Sequence, residues 1–304
     1  MKLTILGCYS GTPHGNKNST AQVLEIKSHT FLIDCGEGTQ LQLRKNKVKF
    51  SRIKHIFISH LHGDHFYGLI GLISTFRLLG READLTIYGP KGIKEIIVLQ
   101  LKLSKSWTNY NLIFKELNSK SSELIFEDDN VIVDTIPLDH RIYTNGFMFT
   151  EINKERRLNM NAVLNAHVHV SYYQRLKNGD DVINEKGQMI KNSDLTFKPA
   201  KPKRYAFCSD TAFKPLVKDQ IKKVTLLYHE ATFLDEHQNL CERTKHSTAK
   251  QAAEIAKLAE VGTLLLGHFS ARYSDINLFK KEAQTVFENV ILANDGKIIE
   301  FKNL

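Results

Sequence analysis

The densest group of potential metal ligands lies in residues 58–65, which read Ile-Ser-His-Leu-His-Gly-Asp-His. Three imidazoles and one carboxylate provide the nitrogen and oxygen ligands that zinc and its borderline neighbours prefer. The apolar run at residues 55–59 predicts a buried strand, Gly63 permits a tight loop, and residues 66–79 show helical spacing. The ligands therefore lie on a strand-to-helix loop, where a rigid scaffold can aim several side chains into one cleft.

The overall composition predicts an ordinary globular chain with a basic balance. Hydrophobic residues make up 42% and charged residues 25% of the 304 residues, and both values argue against disorder and against a fibrous class. Lysine and arginine exceed aspartate and glutamate by 42 to 33, a net charge of +9. This excess favours a polyanionic partner, although a solvated basic surface has the same balance.

Cysteine usage and hydropathy predict the compartment. The four cysteines, at positions 8, 35, 208 and 241, lie far apart and form no C-x-x-C pair, which fits a reducing environment. The chain begins directly with a strand pattern rather than a secretory leader, and no apolar run approaches the roughly 20 residues that cross a bilayer. We therefore expect a cytoplasmic protein without a membrane partner.

Further predicted strands also end in a residue that can bind metal or orient a ligand. The residues that follow such strands directly, or close behind them, are Asp34, His140, Asp210 and His268. Repeated delivery of polar residues at strand ends predicts a layered α/β enzyme whose site is built from loops. Asp34 has two open roles, as the partner that orients a ligand histidine or as the cap of the helix that follows. Ser247 is the predicted N-cap of a helix that runs to residue 260.

The candidate ligands are too numerous for one tetrahedral zinc and suit two metal ions. Two cations about 3.5–4 Å apart can hold a water between them, lower its pKa toward about 7 and stabilise the attacking and leaving oxygens of a hydrolysis. In a natural division the predicted ligands are His60, His62 and His140 for one ion, Asp64, His65 and His268 for the other, and Asp210 as a bridge between both.

Residues 153–204 differ in character from the rest of the chain and look like an insertion. The segment is polar, mixed in charge and interleaved with aromatic residues, and its periodicity is weak. About fifty residues of this kind inside a compact domain predict a functional arm or lid, with a disordered surface loop as the alternative. The predicted organisation is a metallo-hydrolase domain in two halves, residues 1–152 and 205–304, around an inserted basic arm at residues 153–204.

The metal loop, read as H-L-H-G-D-H, resembles the H-x-H-x-D-H signature of the metallo-β-lactamase superfamily. Further motifs resemble the ribonuclease Z family, in order and nearly from end to end, which makes the match specific. They include Asp34-Cys35-Gly36-Glu37-Gly38-Thr39-Gln40, Tyr88-Gly89-Pro90-Lys91-Gly92, Pro137-Leu138-Asp139-His140, Ser209-Asp210-Thr211, His229-Glu230-Ala231-Thr232, His246-Ser247-Thr248 and Gly267-His268-Phe269-Ser270-Ala271-Arg272-Tyr273.

This resemblance implies an α/β fold, the four-layer αββα sandwich of the metallo-β-lactamase type with an inserted protruding arm. The implied activity is that of a zinc-dependent endoribonuclease, which removes the 3′ trailer from precursor tRNA by metal-activated water attack and leaves a 3′-hydroxyl on the tRNA. The implied cofactors are two Zn²⁺ ions per subunit, with manganese and iron left open. The implied assembly is a homodimer in which one subunit's arm grips tRNA cut by the other. The alternative is a metal-dependent hydrolase of small phosphodiesters, which would not need the insertion.

The resemblance also implies individual roles. Asp64 is expected to accept a proton from the attacking water as well as to bind metal, and Glu230 to orient His246, which protonates the departing ribose 3′-oxygen. Arg272 has two open roles, contact with phosphate and support of the His268 loop. The residues of the arm expected to contact tRNA phosphates are Lys154, Arg156, Arg157, Arg175 and Lys177.

Two stretches depart from the family pattern. Residues 167–174 stand where the arm of the family usually carries a Gly-Pro motif, so the way in which the tip of this arm holds tRNA is open. The first loop opens with Gly7-Cys8 in place of the common Gly-Thr. We expect little effect of this change on the chemistry, because no candidate ligand lies in that loop.

Overall fold

The computed structural model describes residues 1–12 and 14–304. These residues form two compact units, one made of residues 1–150 and 203–304 and the other of residues 151–202. The smaller unit comprises nearly the same residues as the segment that the sequence marks as an insertion, and we call it the arm.

The elements are numbered here in chain order. The strands are β1 (Lys2–Gly7), β2 (Ala21–Ile26), β3 (His29–Ile33), β4 (Ile53–Phe57), β5 (Leu85–Pro90), β6 (Leu112–Leu117), β7 (Leu124–Glu127), β8 (Val131–Pro137), β9 (Asn145–Glu151), β10 (Arg157–Leu158), β11 (Val182–Ile183), β12 (Met189–Ile190), β13 (Thr196–Phe197), β14 (Arg204–Cys208), β15 (Leu226–Glu230), β16 (Thr263–Gly267), β17 (Val290–Leu292) and β18 (Ile298–Glu300). The α-helices are α1 (Thr39–Lys45), α2 (Gly63–Phe66), α3 (Gly68–Leu78), α4 (Ile93–Leu103), α5 (Met160–Asn165), α6 (Tyr173–Asn178), α7 (Asn192–Leu195), α8 (Gln238–Thr244), α9 (Ala249–Leu258) and α10 (Asn277–Ala283). Within the described residues, none of the helices has the length and hydropathy that a membrane span requires.

The larger unit contains two seven-stranded mixed sheets. The strand order is β18-β1-β2-β3-β4-β5-β6 in the first sheet and β17-β16-β15-β14-β9-β8-β7 in the second. Strands β3 to β6 run parallel to one another, and so do β14 to β17. Because the carboxyl ends of parallel strands share one edge of a sheet, the loops that follow these strands gather at that edge, where α/β folds place their ligands.

The alternation of side chains along the strands explains how the layers pack. In β3, Phe31 belongs to the core between the sheets, whereas Leu32 belongs to a second core under the helices. Phe57 of β4 packs against Phe147 and Phe149 of β9, with ring centroids 5.4 Å and 5.3 Å away. Helices α1, α3 and α4 complete the second core, while α9 and α10 pack on the other sheet. These four layers confirm the predicted αββα sandwich.

The start of α9 corrects one prediction. Thr248, rather than Ser247, is the N-cap, because its hydroxyl accepts the N–H of Gln251 while the Gln251 side chain accepts the N–H of Thr248. Ser247 is buried and donates its hydroxyl to the carbonyl of Thr211 at 2.7 Å. The prediction of Ser247 is wrong because both hydroxyl residues suit a cap, and Ser247 has a tertiary partner that the sequence does not reveal.

The arm folds around a small core of its own. Its sheets are two short antiparallel pairs, β10 with β13 and β11 with β12. The side-chain amide of the buried Asn192 donates to the carbonyls of Leu176 and Asp180, at 2.7 Å and 3.0 Å, and so ties the loops to one another. The buried core residues are Val163, Val168, Leu176, Val182 and Leu195. Because these residues are spaced irregularly, no helical or strand periodicity in the sequence predicts this core.

Candidate metal centre

The candidate site lies where the carboxyl ends of strands from both sheets meet. Ser59, the second residue after β4, links the loops of the two sheets through its backbone and its side chain. Its carbonyl accepts the N–H of Asn145 at 3.1 Å, and its hydroxyl lies 3.1 Å from that of Ser209, which follows β14. All seven predicted ligands therefore lie in the larger unit and at one edge of its sheets.

The first three predicted ligands bring their ring nitrogens together. His60 Nε2 lies 3.0 Å from His62 Nδ1, and His62 Nδ1 lies 3.2 Å from His140 Nε2. Nitrogens bound at about 2.0–2.1 Å to one tetrahedral zinc are separated by about 3.3 Å. The three nitrogens are thus spaced as the corners of one coordination tetrahedron.

The second group has the same spacing. His65 Nε2 lies 3.3 Å from His268 Nε2, and both nitrogens lie 3.4 Å from Asp64 Oδ2. One carboxylate oxygen and two imidazole nitrogens therefore face a common point. An ion at this point would have open coordination positions for water and substrate, as a catalytic metal site requires.

Asp210 lies between the two groups and turns one oxygen toward each. Its Oδ2 lies 3.6 Å from His60 Nε2 and 3.9 Å from His140 Nε2, whereas its Oδ1 lies 3.4 Å from His65 Nε2 and 3.2 Å from His268 Nε2. Oδ1 is buried and accepts no hydrogen bond from the described residues. A buried carboxylate oxygen without a donor is costly, and a metal ion on each side of Asp210 would remove that cost. The residues therefore fit a pair of metal ions bridged by Asp210.

Burial sets the protonation of the first group. It lowers the pKa of His60 well below the usual value and also lowers the pKa of His62 and of His140. These histidines are therefore neutral at physiological pH, which is the form that binds metal.

The second group is rich in negative charge. Burial lowers the pKa of His65, but Asp210, Asp64 and Asp34 outweigh that effect and raise it well above the usual value. Burial raises the pKa of Asp210, but His268 and His65 outweigh it and hold that pKa well below the usual range. Three carboxylates around one imidazole attract positive charge, which bound cations would supply.

Hydrogen bonds behind the ligands fix how the histidine rings are oriented. His65 Nδ1 lies 2.7 Å from Asp34 Oδ2, and Asp34 Oδ1 accepts the N–H of Ser59 at 2.8 Å. His140 Nδ1 donates to the carbonyl of Lys245 at 2.8 Å. Each of these bonds leaves Nε2 of the histidine for a metal ion. The N-cap of α1 is Gly38, with no side-chain bond, so the interpretation of Asp34 as a helix cap is wrong.

Two residues of the site have a left-handed backbone. Asp34 has φ 56° and His268 has φ 62°, a conformation that is costly for residues other than glycine. In both cases tertiary hydrogen bonds hold the peptide, since Asp34 N–H donates to Phe57 O at 2.8 Å and His268 N–H donates to Cys8 O at 2.8 Å. The fold thus stores backbone strain where it aims two site residues.

The buried Glu230 and the partly buried His246 form a pair beside the ligands. His246 Nδ1 lies 2.8 Å from Glu230 Oε1, and the same carboxylate accepts N–H groups of Thr211 and Thr232, both at 3.0 Å. Burial lowers the pKa of His246, but Glu230 and Asp210 outweigh it and raise that pKa to about 9. A cavity of about 500 Å³ borders His246. The pair can therefore hold a proton on an imidazole at the edge of an open space.

Two contributions to the site escaped the sequence analysis. The N–H of Gly11 donates to Asp64 Oδ2 at 2.9 Å, so the first loop holds a candidate ligand although it supplies none itself. That Cys8 in this loop has little effect on the chemistry stays a prediction. The Thr232 hydroxyl lies 2.7 Å from Glu230 Oε2 and 2.9 Å from His268 Nδ1, so it joins the proton-holding pair to the second metal group. The Gly11 contact uses a backbone N–H, which no residue type in the sequence indicates. The Thr232 contact could have been predicted, because a hydroxyl residue stands two positions after Glu230 in the sequence.

The predicted substrate-binding residues lie in both units. In the larger unit, Arg272 is exposed, and its N–H donates to Ser270 Oγ at 3.3 Å. In the arm, Lys154 and Arg157 are exposed. Four of these arginine and lysine side chains have contacts within the arm: Arg156 Nε donates to Thr196 Oγ1 at 2.7 Å, Arg157 Nε donates to the carbonyl of Lys198 at 3.5 Å, Arg175 lies 3.5 Å from Asp180, and Lys177 lies 3.9 Å from Glu155.

Comparison with known proteins supports the fold and indicates the protein family. The family model described as "Anti-Pycsar protein Apyc1" matches residues 1–286. The ribonuclease Z of Bacteroides fragilis strain YCH46 is 46% identical over 298 residues, covering 98% of each chain. The crystal structure of the short form of human tRNase Z is similar with a TM-score of 0.72 and 27% identity, covering 99% of each chain. The metallo-β-lactamase fold protein YhfI of Bacillus subtilis, at 19% identity and a TM-score of 0.69 over 98% of each chain, shares the fold.

Proposed function

The chain belongs to the ribonuclease Z family of the metallo-β-lactamase superfamily, and we propose that it is an endoribonuclease that removes the 3′ trailer from precursor tRNA. The observation that carries the proposal is the two-sided placement of Asp210 beside the separate Glu230–His246 pair. The placement of Asp210 suits the binding of two metal ions, and the Glu230–His246 pair suits the donation of a proton to a leaving oxygen. Identity of 46% over nearly the whole chain favours the ribonuclease name over that of the matched family model.

We propose zinc as the metal, because imidazole and carboxylate donors at these spacings suit it. His60, His62 and His140 would hold one ion, Asp64, His65 and His268 the other, and Asp210 both. Two zinc ions bound there would lower the pKa of water and stabilise charge on the attacking and leaving oxygens. Manganese and iron accept the same donor types, so the metal found in the cell is a matter for measurement.

The residues of the chain then perform the proton transfers. Asp64 is held through Oδ2, which accepts the N–H of Gly11, and its carboxylate takes a proton from the water that attacks phosphorus. The bond from phosphorus to the ribose 3′-oxygen breaks. His246, held at Nδ1 by Glu230, gives a proton from Nε2 to that oxygen. The tRNA leaves with a 3′-hydroxyl and the trailer with a 5′-phosphate.

We propose that the arm is the tRNA-binding exosite. Its basic residues outnumber its acidic residues, and RNA phosphates are recognised by such charges. Lys154, Arg157 and Arg175 suit phosphate contact because they are exposed. The contacts of Arg156, Arg157, Arg175 and Lys177 within the arm also stabilise it. From the family resemblance we further propose a cytoplasmic homodimer in which the arm of one subunit grips tRNA cut by the other.

Cleavage of a precursor tRNA tests the function directly. Purified, zinc-loaded protein should cut the precursor once, and end mapping should find a 3′-hydroxyl on the tRNA and a 5′-phosphate on the trailer. An intact trailer, together with hydrolysis of bis(p-nitrophenyl) phosphate, would contradict the proposal and support the hydrolase of small phosphodiesters.

Deletion of the arm should separate RNA binding from chemistry. Thr150 and Arg204 are paired neighbours on the antiparallel strands β9 and β14, so a short glycine-containing turn can replace residues 151–202. We expect unchanged hydrolysis of bis(p-nitrophenyl) phosphate but weaker tRNA binding with a smaller dependence on salt, because phosphate contacts are lost. Binding is measured by filter retention across a salt series. An equal loss on both substrates would mean that the arm supports the catalytic unit.

A further inference from the structure

The larger unit has a second cavity, of about 690 Å³, that the proposed cleavage does not use. A volume of this size is typical of sites for small molecules. Its wall combines aromatic, aliphatic and basic side chains. The residues on which the argument depends are Arg44, Lys47, Lys49, Phe50, Phe76 and Arg81.

This cavity lies away from the metal centre. Residues 50–52 precede β4 whereas the metal loop follows it, and β4 has 5 residues. A strand of that length spans about 17 Å. Likewise α3 starts next to the metal loop, and its 11 residues lead to the cavity, a path of about 16 Å. A substrate group held at the metal centre therefore does not fill the cavity.

The cavity offers flat apolar surface and positive charge together. The rings of Phe50 and Phe76 meet edge to face with centroids 5.9 Å apart. The guanidinium of Arg44 lies 5.4 Å from the Phe50 ring, and that of Arg81 lies 4.9 Å from the Phe76 ring. Four basic side chains line the cavity and Glu82 is its one acidic residue. Such a wall suits a ligand with a planar ring and negative charge.

Arg81 gives a second and independent indication of a ligand. It is only 8% exposed, and its Nε and Nη2 donate to the carbonyls of Ala83 and Asp84, both at 2.7 Å. Its Nη1 is buried and has no hydrogen-bond partner among the described residues. A buried charged donor left in this way is costly, and an acceptor on a bound anion would remove the cost.

We propose that this cavity binds a nucleotide. The base lies against the partly exposed ring of Phe50 and the guanidinium of Arg44, because Phe76 is only 1% exposed, and the phosphate is attracted by Arg81, Lys47 and Lys49. An inorganic anion would leave the aromatic wall unused. An RNA strand engaged at the metal centre would have to pass to the other end of β4 to reach it.

Calorimetric titration of the zinc-loaded protein with AMP, ATP, adenosine and inorganic triphosphate tests the proposal. AMP and ATP should bind more tightly than adenosine, which lacks a phosphate, and more tightly than inorganic triphosphate, which lacks a base. The variant Lys47→Glu/Lys49→Glu should bind nucleotide about tenfold or more weakly, because each change removes an attraction and adds a repulsion. The control Lys102→Glu/Lys120→Glu changes exposed lysines outside the cavity and should bind as the parent does. Precursor tRNA cleavage without added nucleotide should be equal in all three proteins.

Three results would overturn the proposal. The parent protein could fail to bind AMP and ATP. Inorganic triphosphate could bind as tightly as ATP, which would indicate a basic patch without base recognition. Nucleotide binding could also survive unchanged in Lys47→Glu/Lys49→Glu, which would place the nucleotide at the metal centre instead.

Discussion

Replacement of Asp210 with alanine should remove metal ions and cleavage of precursor tRNA together. Its two oxygens face different histidine groups, at 3.6 Å from His60 and 3.2 Å from His268, so in the proposed two-metal site the change would take one ligand from each ion. Even residues that only orient metal ligands change affinity or activity by about 10–100-fold. A ligand shared by both ions should therefore cost more than that. Metal content by mass spectrometry and kcat/KM on precursor tRNA measure the effect.

The matched control for this prediction is Asp219→Ala, which removes an exposed carboxylate of the same unit. It should keep both metals and full activity. If Asp210→Ala protein retained two zinc ions per subunit, Asp210 would not be a bridge, and the division of the ligands into two groups would have to be revised.

Replacement of His246 with alanine should leave both metals in place and slow RNA cleavage by about 10²–10⁴-fold, the usual contribution of a general acid. His246 Nδ1 lies 2.8 Å from Glu230 and 3.9 Å from Asp210, which favours the proton-holding pair, although His246 also lies close enough to Asp210 and His268 to form a third group of possible metal ligands. The metal content of the variant therefore distinguishes the two roles. The ribose 3′-oxygen is a poor leaving group and needs the proton. Single-turnover cleavage of precursor tRNA and metal content measure the two parts of the prediction.

A substrate with a better leaving group distinguishes proton donation from support of the structure. The p-nitrophenolate of bis(p-nitrophenyl) phosphate leaves without a proton, so His246→Ala should slow its hydrolysis far less than it slows RNA cleavage. An equal loss on both substrates, or a loss of zinc, would show that His246 supports the metal centre instead. His167→Ala, an exposed histidine of the arm, is the control and should leave hydrolysis of the aryl diester unchanged.

The sequence predicts the fold correctly, and it suggests the candidate ligands for a local reason. His60, His62, Asp64 and His65 lie on one loop, and each of the other candidates follows a buried apolar strand. Parallel strands end at one edge of a sheet, so residues at strand ends are expected to meet once the layers are known. The family motifs supplied the layers, and the structure confirms them.

The orientation of the ligands depends on contacts between distant parts of the chain. The carbonyl that holds His140 belongs to Lys245, 105 residues later, and the hydroxyl of Thr232 reaches His268 across 36 residues. The backbone N–H of Gly11 reaches Asp64 across 53 residues. Every residue has a backbone carbonyl, and every residue except proline has a backbone N–H. A site that uses these groups therefore requires no particular residue type, and the sequence shows no pattern for it.

The sequence alone therefore determined which side chains are candidates for binding metal. The ability to bind metal depends on residue type, and the ends of strands can be predicted from local patterns of apolar residues. Tertiary structure decided what those side chains do. It turned the two oxygens of Asp210 toward different histidine groups, gave Asp34 a histidine to orient rather than a helix to cap, and closed a cavity around the basic stretch from Arg44 to Lys49. The physical reason is that distances of about 3 Å between distant residues follow from how the layers pack, which periodicity along one strand or helix does not encode.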